Sequence, residues 1–370
     1  MEGLNAKINF QELLVNLLSK LSEREQEVLK QRYHLTSELE KRSTLKQIGD
    51  IYNITRERVR QIEREAVRKL IELSKAEEFA GELKRIEESL IHYFERQGGL
   101  VREDYLLDKY VAENHQFDFL HTNAFLFAME HLFDGVVKIE DHEYFYSIWA
   151  LKELDLDKVV ELITKIETDL RAGNKIQSHE DILKTAETYL PEELKSHLAQ
   201  YLQKHSDLEL LNLLESYLLA TSKIEKNILD QWGLSENEVI KPRKLSDKIN
   251  LVFQKVKEPL HFRDIAEKIN DAKFDHKKIC AATVHNELIA NDGFVLIGRG
   301  IYALKDWGYS TGTVADIITQ ILTESGSAMA KDEIFDNVLK QRKVNKSTIY
   351  LTLINKDKFA KTADGKFSLK

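Results

Sequence analysis

The chain has 370 residues, of which 42% are hydrophobic and 31% charged, so it can bury several small cores and is predicted to contain more than one domain. Three Pro and fifteen Gly argue against long disordered tracts, and the single Cys280 excludes an internal disulfide. A formal net charge of −8 argues against a uniformly phosphate-binding surface.

The charge is distributed unevenly along the chain. Residues 41–70 carry nine basic and four acidic groups, residues 331–370 carry ten and five, and residues 71–330 hold a net charge of −16. Because an acidic segment repels phosphate, the two basic segments are the candidates for polyanion binding. The middle is expected to act as a spacer, to dock on protein, or to limit nonspecific DNA binding.

Residues 44–70 have the pattern of a helix-turn-helix. Gly49 allows close approach of two helices, and Asn53 tolerates the left-handed backbone that such a turn often needs. The apolar residues of the first helix are Leu45, Ile48, Ile51 and Tyr52. Upstream, Ser22 and Glu25 predict a capping box. The helix that it starts contributes Val28, Leu29 and Tyr33 to a small trihelical core.

The second helix of the motif, capped by Thr55, is predicted to read DNA bases. Its apolar face consists of Val59, Ile62, Ala66 and Leu70, and its opposite face of Arg56, Glu57, Arg60, Gln61 and Arg64. Arg can pair with guanine, Gln with adenine and Glu with cytosine, and one helix fits the major groove. The alternative is an amphipathic helix pair with a merely solvated charged face, which the basic excess disfavours.

These residues carry a family resemblance. The segments LSEREQEVLKQRYHL and STLKQIGDIYNITRERVRQIEREAVRKL, within residues 20–71, closely resemble the fourth conserved region of housekeeping bacterial sigma factors, which reads the promoter −35 element. The resemblance implies base contacts by Arg56, Glu57, Arg60 and Gln61. It implies phosphate contacts by Arg32, Thr44, Arg58 and Arg64.

The resemblance also implies a protein partner and the absence of one functional region of sigma factors. In sigma factors the corresponding region binds a flap of the RNA polymerase β subunit, so the polymerase core is an expected partner. Sigma factors of this family melt the −10 element with an aromatic-rich helical region placed before the −35 reader. Only nineteen residues precede the match, so we expect no promoter-melting region.

Downstream, a helix, a short extended segment, two more helices and a hairpin recur, which is a winged-helix plan. The clearest copy is 245–308, with a hairpin turned at residues 298–300; copies at 313–370, 84–151 and 157–220 follow. In the 157–220 copy the hairpin assigned to LELLNLLESYLLA is almost equally compatible with a helix. The predicted domains are 1–75 (sigma-like helix-turn-helix), 76–152 and 153–222 (winged-helix-like), 223–244 (ordered linker, with Trp232 and Leu234 needing burial), 245–309 and 310–370 (winged helices).

Segments PLHFRDIAEKI and GFVLIGRGIYALKDWG of the 245–308 copy resemble the HARE-type helix-turn-helix. This winged-helix variant occurs in the delta subunit of Gram-positive RNA polymerase, in some restriction systems and in chromatin proteins. The resemblance implies a transcription-associated module that binds DNA or polymerase. Arg299 at the wing tip is a candidate phosphate contact or, alternatively, a solvated turn cation.

In the last copy, basic residues precede the third helix and predict a second DNA surface; the alternative is a solvated basic face. They are Lys340, Arg342, Lys343 and Lys346. A run of aromatic residues further upstream could stack on nucleic acid, but its alternation favours packing within a hairpin. That run is Tyr144, Phe145, Tyr146 and Trp149.

The sequence contains no phosphate-cradling loop, nucleophile elbow or paired-carboxylate cluster, and its twelve His residues are scattered without metal-site spacing. We therefore expect no enzyme, cofactor or metal site. The start MEGLNAKINF lacks a basic-then-apolar leader and no window reaches the length of a membrane span, so a cytoplasmic protein without membrane contact is expected.

The expected fold is mainly α with small β-hairpins: an N-terminal trihelical helix-turn-helix domain followed by tandem winged-helix modules. The expected function is a sequence-specific, sigma-factor-like bacterial transcription regulator that binds promoter-like double-stranded DNA and contacts RNA polymerase. Two alternatives stay open at this point. One is a polymerase-docking protein that does not read DNA, and the other is the specificity component of a restriction or modification system.

Overall fold

The computed structural model describes residues 10–37, 41–111, 119–275, 277–355 and 357–370. The chain divides into two compact units, Met1–Glu225 and Lys226–Lys370. Both are mainly helical with small antiparallel sheets of two or three strands, which confirms the predicted fold class. None of the described helices combines the length and apolar character needed to cross a bilayer.

In the part of the chain that the structure describes, the first unit begins with five helices. They are α1 (Phe10–Leu18), α2 (Glu23–Tyr33), α3 (Leu45–Tyr52), α4 (Arg56–Ser74) and α5 (Glu77–Glu95). After a short helical turn and a π-helical segment (Leu106–Val111), five more helices follow. They are α6 (Phe119–His131), α7 (Leu156–Gly173), α8 (His179–Thr188), α9 (Glu192–Lys204) and α10 (Leu210–Ala220).

A three-stranded antiparallel sheet lies between α5 and α7 in the chain. Its strands are β1 (Leu100–Arg102), β2 (Val136–Ile139) and β3 (Ile148–Leu151), in the order β1-β3-β2. Trp149 on the central strand is opposite Val101 on one side and Lys138 on the other. The pairing of β2 with β3 confirms the hairpin that the sequence predicts here. A short strand, β4 (Gln177–Ser178), precedes α8.

The second unit repeats a helix, helix, helix, hairpin order twice. Its first copy contains α11 (Leu245–Val256), β7 (Leu260–His261), α12 (Phe262–Asp271), α13 (Ala281–Ala290), β8 (Phe294–Gly298) and β9 (Ile301–Leu304). Its second copy contains α14 (Val314–Ser325), α15 (Lys331–Gln341), α16 (Lys346–Leu353), β10 (Phe359–Lys361) and β11 (Phe367–Leu369). The β8–β9 and β10–β11 pairs confirm both predicted hairpins.

The hairpin interpretation of LELLNLLESYLLA is wrong, because residues 210–220 form α10. The residues Leu213, Leu214, Tyr217 and Leu218 recur at helical spacing and are all buried. Strands occur later, at β5 (Ile224–Lys226) and β6 (Gln231–Leu234), inside the segment predicted as a linker. Trp232 and Leu234 are buried there, as expected for an ordered segment.

Two apolar residues of the predicted trihelical core have other roles. Ile51 on α3 is 60% exposed, so it is not a packing residue within the described structure. Tyr33 at the end of α2 packs edge-on against Phe127 of α6, with ring centroids 4.8 Å apart. Val28 and Leu29 are fully buried, as predicted.

Candidate nucleic-acid interface

Helices α2, α3 and α4 form a small module around one apolar cluster. Its fully or nearly fully buried members are Val28, Ile48, Val59 and Ile62. The predicted inward face of α4 is confirmed, since Val59, Ala66 and Leu70 are completely buried and Ile62 nearly so. Burial of this face fixes the rotation of α4 about its axis, and therefore which side chains point to solvent.

The turn between α3 and α4 is built by local backbone requirements. Asn53 adopts a left-handed conformation with φ 53°, as predicted. A Cβ on Gly49 would lie 2.7 Å from the carbonyl oxygen of Ile54, so no larger residue fits without moving the turn. Thr55 caps α4 by accepting a hydrogen bond from the N–H of Arg58 at 3.2 Å. These features set the start and direction of α4.

The predicted base-reading residues lie on the solvent side of α4. Arg56, Glu57 and Gln61 are exposed, and the side chain of Arg60 retains 43% exposure. Glu57 accepts hydrogen bonds from Arg60 at 2.8 and 2.5 Å, and these bonds lower the pKa of Glu57. An exposed pair of this kind contributes little stability, so either partner can exchange the contact for a base edge at low cost.

The residues expected to hold phosphates are divided between α4 and its surroundings. Arg58 and Arg64 are exposed on α4, and an Arg58 Nη1 donates to Gln61 Oε1 at 3.1 Å. Arg32 on α2 is half-buried and pairs with Glu63 of α4 at 3.2 Å. Thr44 is exposed at the start of α3, where its N–H donates to Gln47 Oε1 at 2.8 Å.

The end of α2 is docked on α6. The hydroxyl of Tyr33 contacts Glu63 Oε1 at 3.1 Å and His131 Nε2 at 3.0 Å. Asn123 of α6 donates to the carbonyl oxygen of His34 at 3.0 Å. Docking through α2 anchors the helix-turn-helix to the rest of its unit while the cationic residues of α4 remain exposed.

In the second unit, four of the five cationic residues predicted to form a DNA surface are exposed and one is buried. Lys340, Lys343 and Lys346 are exposed, and Arg299 is exposed in the turn between β8 and β9. Arg342 is only 6% exposed, and its guanidinium donates to the carbonyl oxygens of Leu296 and Gly312. Its assignment to a DNA surface is therefore wrong, because the side chain is buried and both its Nη1 and Nη2 groups are bonded to backbone carbonyls.

The third helices of the second unit differ from α4 in charge. Helix α13 (AATVHNELIA) has no Lys or Arg, and α16 (KSTIYLTL) has one Lys at its start. Both expose aliphatic side chains, since Ile289 and Leu351 are each 65% exposed. The cationic residues of the three helices are thus concentrated on α4.

The aromatic run on the β3 side of the first unit is packed rather than available for stacking. Phe145 and Trp149 are 4% and 1% exposed. The indole Nε1 of Trp149 donates to Glu103 Oε2 at 2.8 Å, which satisfies its polar atom inside the unit. This confirms the hairpin-packing interpretation for these two residues.

Comparison with known proteins matches the part of the chain that contains this interface. Sigma-70 region 4 matches residues 17–72. RNA polymerase sigma factor SigA of Microcystis aeruginosa is 54% identical over 57 residues, which are 15% of this chain and 13% of that protein. SigA of Synechocystis sp. gives the same identity and coverage. SigA1 of Synechococcus elongatus is 51% identical over 65 residues, which are 18% of this chain and 16% of that protein.

The chain thus spans between about one eighth and one sixth of the length of these relatives. The matched residues contain all of α2 and α3 and all but the last two residues of α4, including Arg56, Glu57, Arg60 and Gln61. The likeness is therefore to one DNA-binding segment of a transcription factor, and the HARE resemblance of residues 245–308 stays a prediction. Residues 17–72 of this chain therefore match sigma-70 region 4, a helix-turn-helix family of DNA-binding transcription proteins.

Proposed function

We propose that this protein is a sequence-specific transcription regulator that reads a −35-type promoter element with α4. The observation that carries the proposal is the exposed row Arg56, Glu57, Arg60 and Gln61, on a helix whose opposite face is buried. Such a row places hydrogen-bonding groups toward the floor of a major groove when the helix enters it. The role is one of binding, without a catalytic step.

Recognition would proceed by exchange of contacts along α4. The Glu57–Arg60 and Arg58–Gln61 pairs hold these four side chains along the helix surface before DNA is bound. On binding, base edges and phosphates replace the intrahelical partners. Each good bidentate base contact contributes about 1–3 kcal/mol of discrimination.

The direct test is selection of bound duplexes from a random pool, followed by affinity measurements on Arg56→Ala. We expect the selected duplexes to share a −35-like sequence, and Arg56→Ala to reduce discrimination between selected and scrambled duplexes by about 5- to 150-fold. Arg68→Ala is the matched control, because Arg68 carries the same charge on the same helix, outside the reading row, with a 72% exposed side chain. Equal losses on both duplexes in the Arg56 variant would refute base reading.

We further propose that the same module contacts the RNA polymerase core. Support comes from Ile51, an apolar side chain that is 60% exposed on α3 and is not used by the core of the module. Core polymerase should be retained by the immobilised wild-type chain and less by Ile51→Glu. If polymerase is retained while selective DNA binding is undetectable, the protein is a docking protein instead.

A second phosphate contact is proposed in the second unit, formed by Arg299 with Lys340, Lys343 and Lys346. The N–H of Lys343 donates to the carbonyl oxygen of Ile297 at 3.0 Å, which brings this lysine beside the wing that carries Arg299. Two cations from different modules therefore lie close in the fold. Such contacts would strengthen binding to all sequences alike.

A further inference from the structure

Three potential metal ligands meet in the first unit, two from one helix and a third from more than one hundred residues later in the chain. His92 and Glu95 lie one turn apart on α5, and His205 follows the last residue of α9. One ligand atom from each lies within 4.8 Å of the others. Glu95 and His205 are only 5% and 4% exposed, whereas His92 opens to solvent.

We propose that His92, Glu95 and His205 bind one divalent transition-metal ion of the Zn²⁺ class, with water completing the coordination. Two imidazoles and one carboxylate form a donor set that suits Zn²⁺ and disfavours Mg²⁺ and Ca²⁺, which prefer oxygen ligands. Solvent exposure of His92 provides an entry path and an open coordination position.

The distances between the three ligand atoms need to change only slightly to match a tetrahedral site. Bond lengths of about 2.0–2.1 Å in a tetrahedral site place ligand atoms about 3.4 Å apart. Glu95 Oε2 and His205 Nε2 already lie 3.0 Å apart, so these two buried ligands are close to the required spacing. The imidazole of His92 would have to move closer to the other two ligands. Its ring packs edge-on against that of His205, with centroids 4.5 Å apart, and lies at the surface.

The ligands are held by contacts on both sides. Arg96 forms a bidentate pair with Asp207 at 2.9 and 2.7 Å, which ties the end of α5 to the segment after His205. The hydroxyl of Tyr217 donates to the carbonyl oxygen of Gly98 at 2.7 Å and adds a buried contact nearby. A preorganised pair of ligands lowers the cost of binding an ion.

In the absence of metal the buried groups form an ion network. Burial alone would raise the pKa of Glu95, but hydrogen bonds from Lys204 and His205 hold it below its ordinary value. The ammonium of Lys204 pairs with the other carboxylate oxygen of Glu95, Oε1, and therefore competes with a metal ion for this carboxylate.

The test measures Zn²⁺ and Co²⁺ binding to the full-length, tag-free, chelator-treated chain by calorimetry and by Co²⁺ absorption. Mg²⁺ serves as the control ion. We expect one Zn²⁺ per chain, and at least about tenfold weaker binding in His92→Asn and His205→Asn. Lys204→Gln should bind more tightly because it removes a cation from Glu95. His179→Asn is the control, since His179 starts α8 and is not one of the three ligands.

His205 is buried, so its variant could lose structure, whereas exposed His92 provides a variant that should fold normally, checked by circular dichroism. Absence of saturable Zn²⁺ binding by the wild type overturns the proposal. Equal Zn²⁺ affinity of the wild type and folded His92→Asn also overturns it. DNA binding by α4 is measured separately, so failure of the metal proposal leaves the proposed promoter-reading function intact.

Discussion

Replacement of Arg342 by Met should destabilise the second unit without a direct effect on DNA affinity. Arg342 lies at the end of α15 and donates to the carbonyl oxygens of Leu296, on the β8 wing, and Gly312, before α14. It therefore connects three chain segments of the unit. Met preserves much of the aliphatic stem but removes every donor.

The size of the effect follows from two opposing contributions. Each lost hydrogen bond from a charged donor would cost about 1.5–3 kcal/mol if the acceptor stayed dry. Leu296 and Gly312 are exposed residues, so water can replace part of both bonds. Burial lowers the pKa of Arg342, which indicates that desolvation of the cation already offsets some of the gain. We expect a net loss of about 1–3 kcal/mol.

Urea unfolding and amide hydrogen exchange measure this loss. The N–H of Lys343, which donates to Ile297, should exchange faster in Arg342→Met. Lys343→Met is the matched control, because it removes the neighbouring positive charge from an exposed position. It should change stability by less than about 0.5 kcal/mol. If the second DNA surface exists, it should also weaken binding to all duplexes and flatten the salt dependence.

Two outcomes would contradict a purely structural role of Arg342. If Arg342→Met leaves exchange and unfolding unchanged but weakens DNA binding more than Lys343→Met, the guanidinium is a DNA contact and its buried position is not the one that functions. If both variants lower stability equally, the hydrogen bonds to Leu296 and Gly312 are not the cause.

Two further predictions concern the first unit. Gly49→Ala should lower its stability by about 1–3 kcal/mol, measured by thermal and urea unfolding, because the new Cβ would meet the backbone oxygen of Ile54 at 2.7 Å. Acidification should weaken the docking of α2 on α6, because burial lowers the pKa of His131 beside Tyr33. The unfolded chain then binds more protons, so this contribution is complete above about pH 6.5 and is lost as the pH falls through the lower folded pKa. His131→Phe should reduce the pH dependence of unfolding between pH 7 and 5.

Each of these two predictions has a control within the same unit. Gly81→Ala on α5 should be neutral or stabilising by up to about 1 kcal/mol, because a Cβ there has no neighbour within 4 Å. Equal destabilisation by the two Gly variants would contradict the steric explanation. His179→Phe replaces a half-buried His on α8, away from the contact of α2 with α6, and should retain the wild-type pH dependence. If the pH dependence of unfolding is unchanged in His131→Phe, protonation of His131 does not cause the loss of stability at low pH.

Features determined by neighbours in the sequence were predictable. The Thr55 cap, the left-handed Asn53 and the buried face of α4 each depend on residues within a few turns, and all three are confirmed. The hairpins of the second unit also follow from local alternation and from turns at Gly. The leucine-rich residues 210–220 were ambiguous, because an apolar run fits both a buried helix and a buried strand.

Features that depend on distant contacts were not predictable. Tyr33 has the pattern of a core residue of its own module, but its ring is covered by α6, almost one hundred residues later. Arg342 stands in a basic run and resembles its solvated neighbours until two carbonyl oxygens, 46 and 30 residues upstream, are brought to it. The His92, Glu95 and His205 cluster was not predictable either, since more than one hundred residues separate His205 from the two ligands on α5.

If α4 reads DNA as proposed, the charge distribution of the first unit explains how a chain of net charge −8 could use one helix for this purpose. Residues 71–225 contain sixteen basic and thirty-two acidic groups, so the acidic surplus of the chain lies in the unit that contains α4. At physiological ionic strength charges act over about 8 Å, so α4 can attract a duplex that reaches it while the acidic surface repels one that lands elsewhere. Nonspecific binding, which depends on many phosphate contacts, is reduced more by this arrangement than base reading by a few exposed side chains. In the proposed function, the acidic residues 71–225 would therefore raise the ratio of specific to nonspecific binding, which decides whether a regulator finds its site among competing DNA.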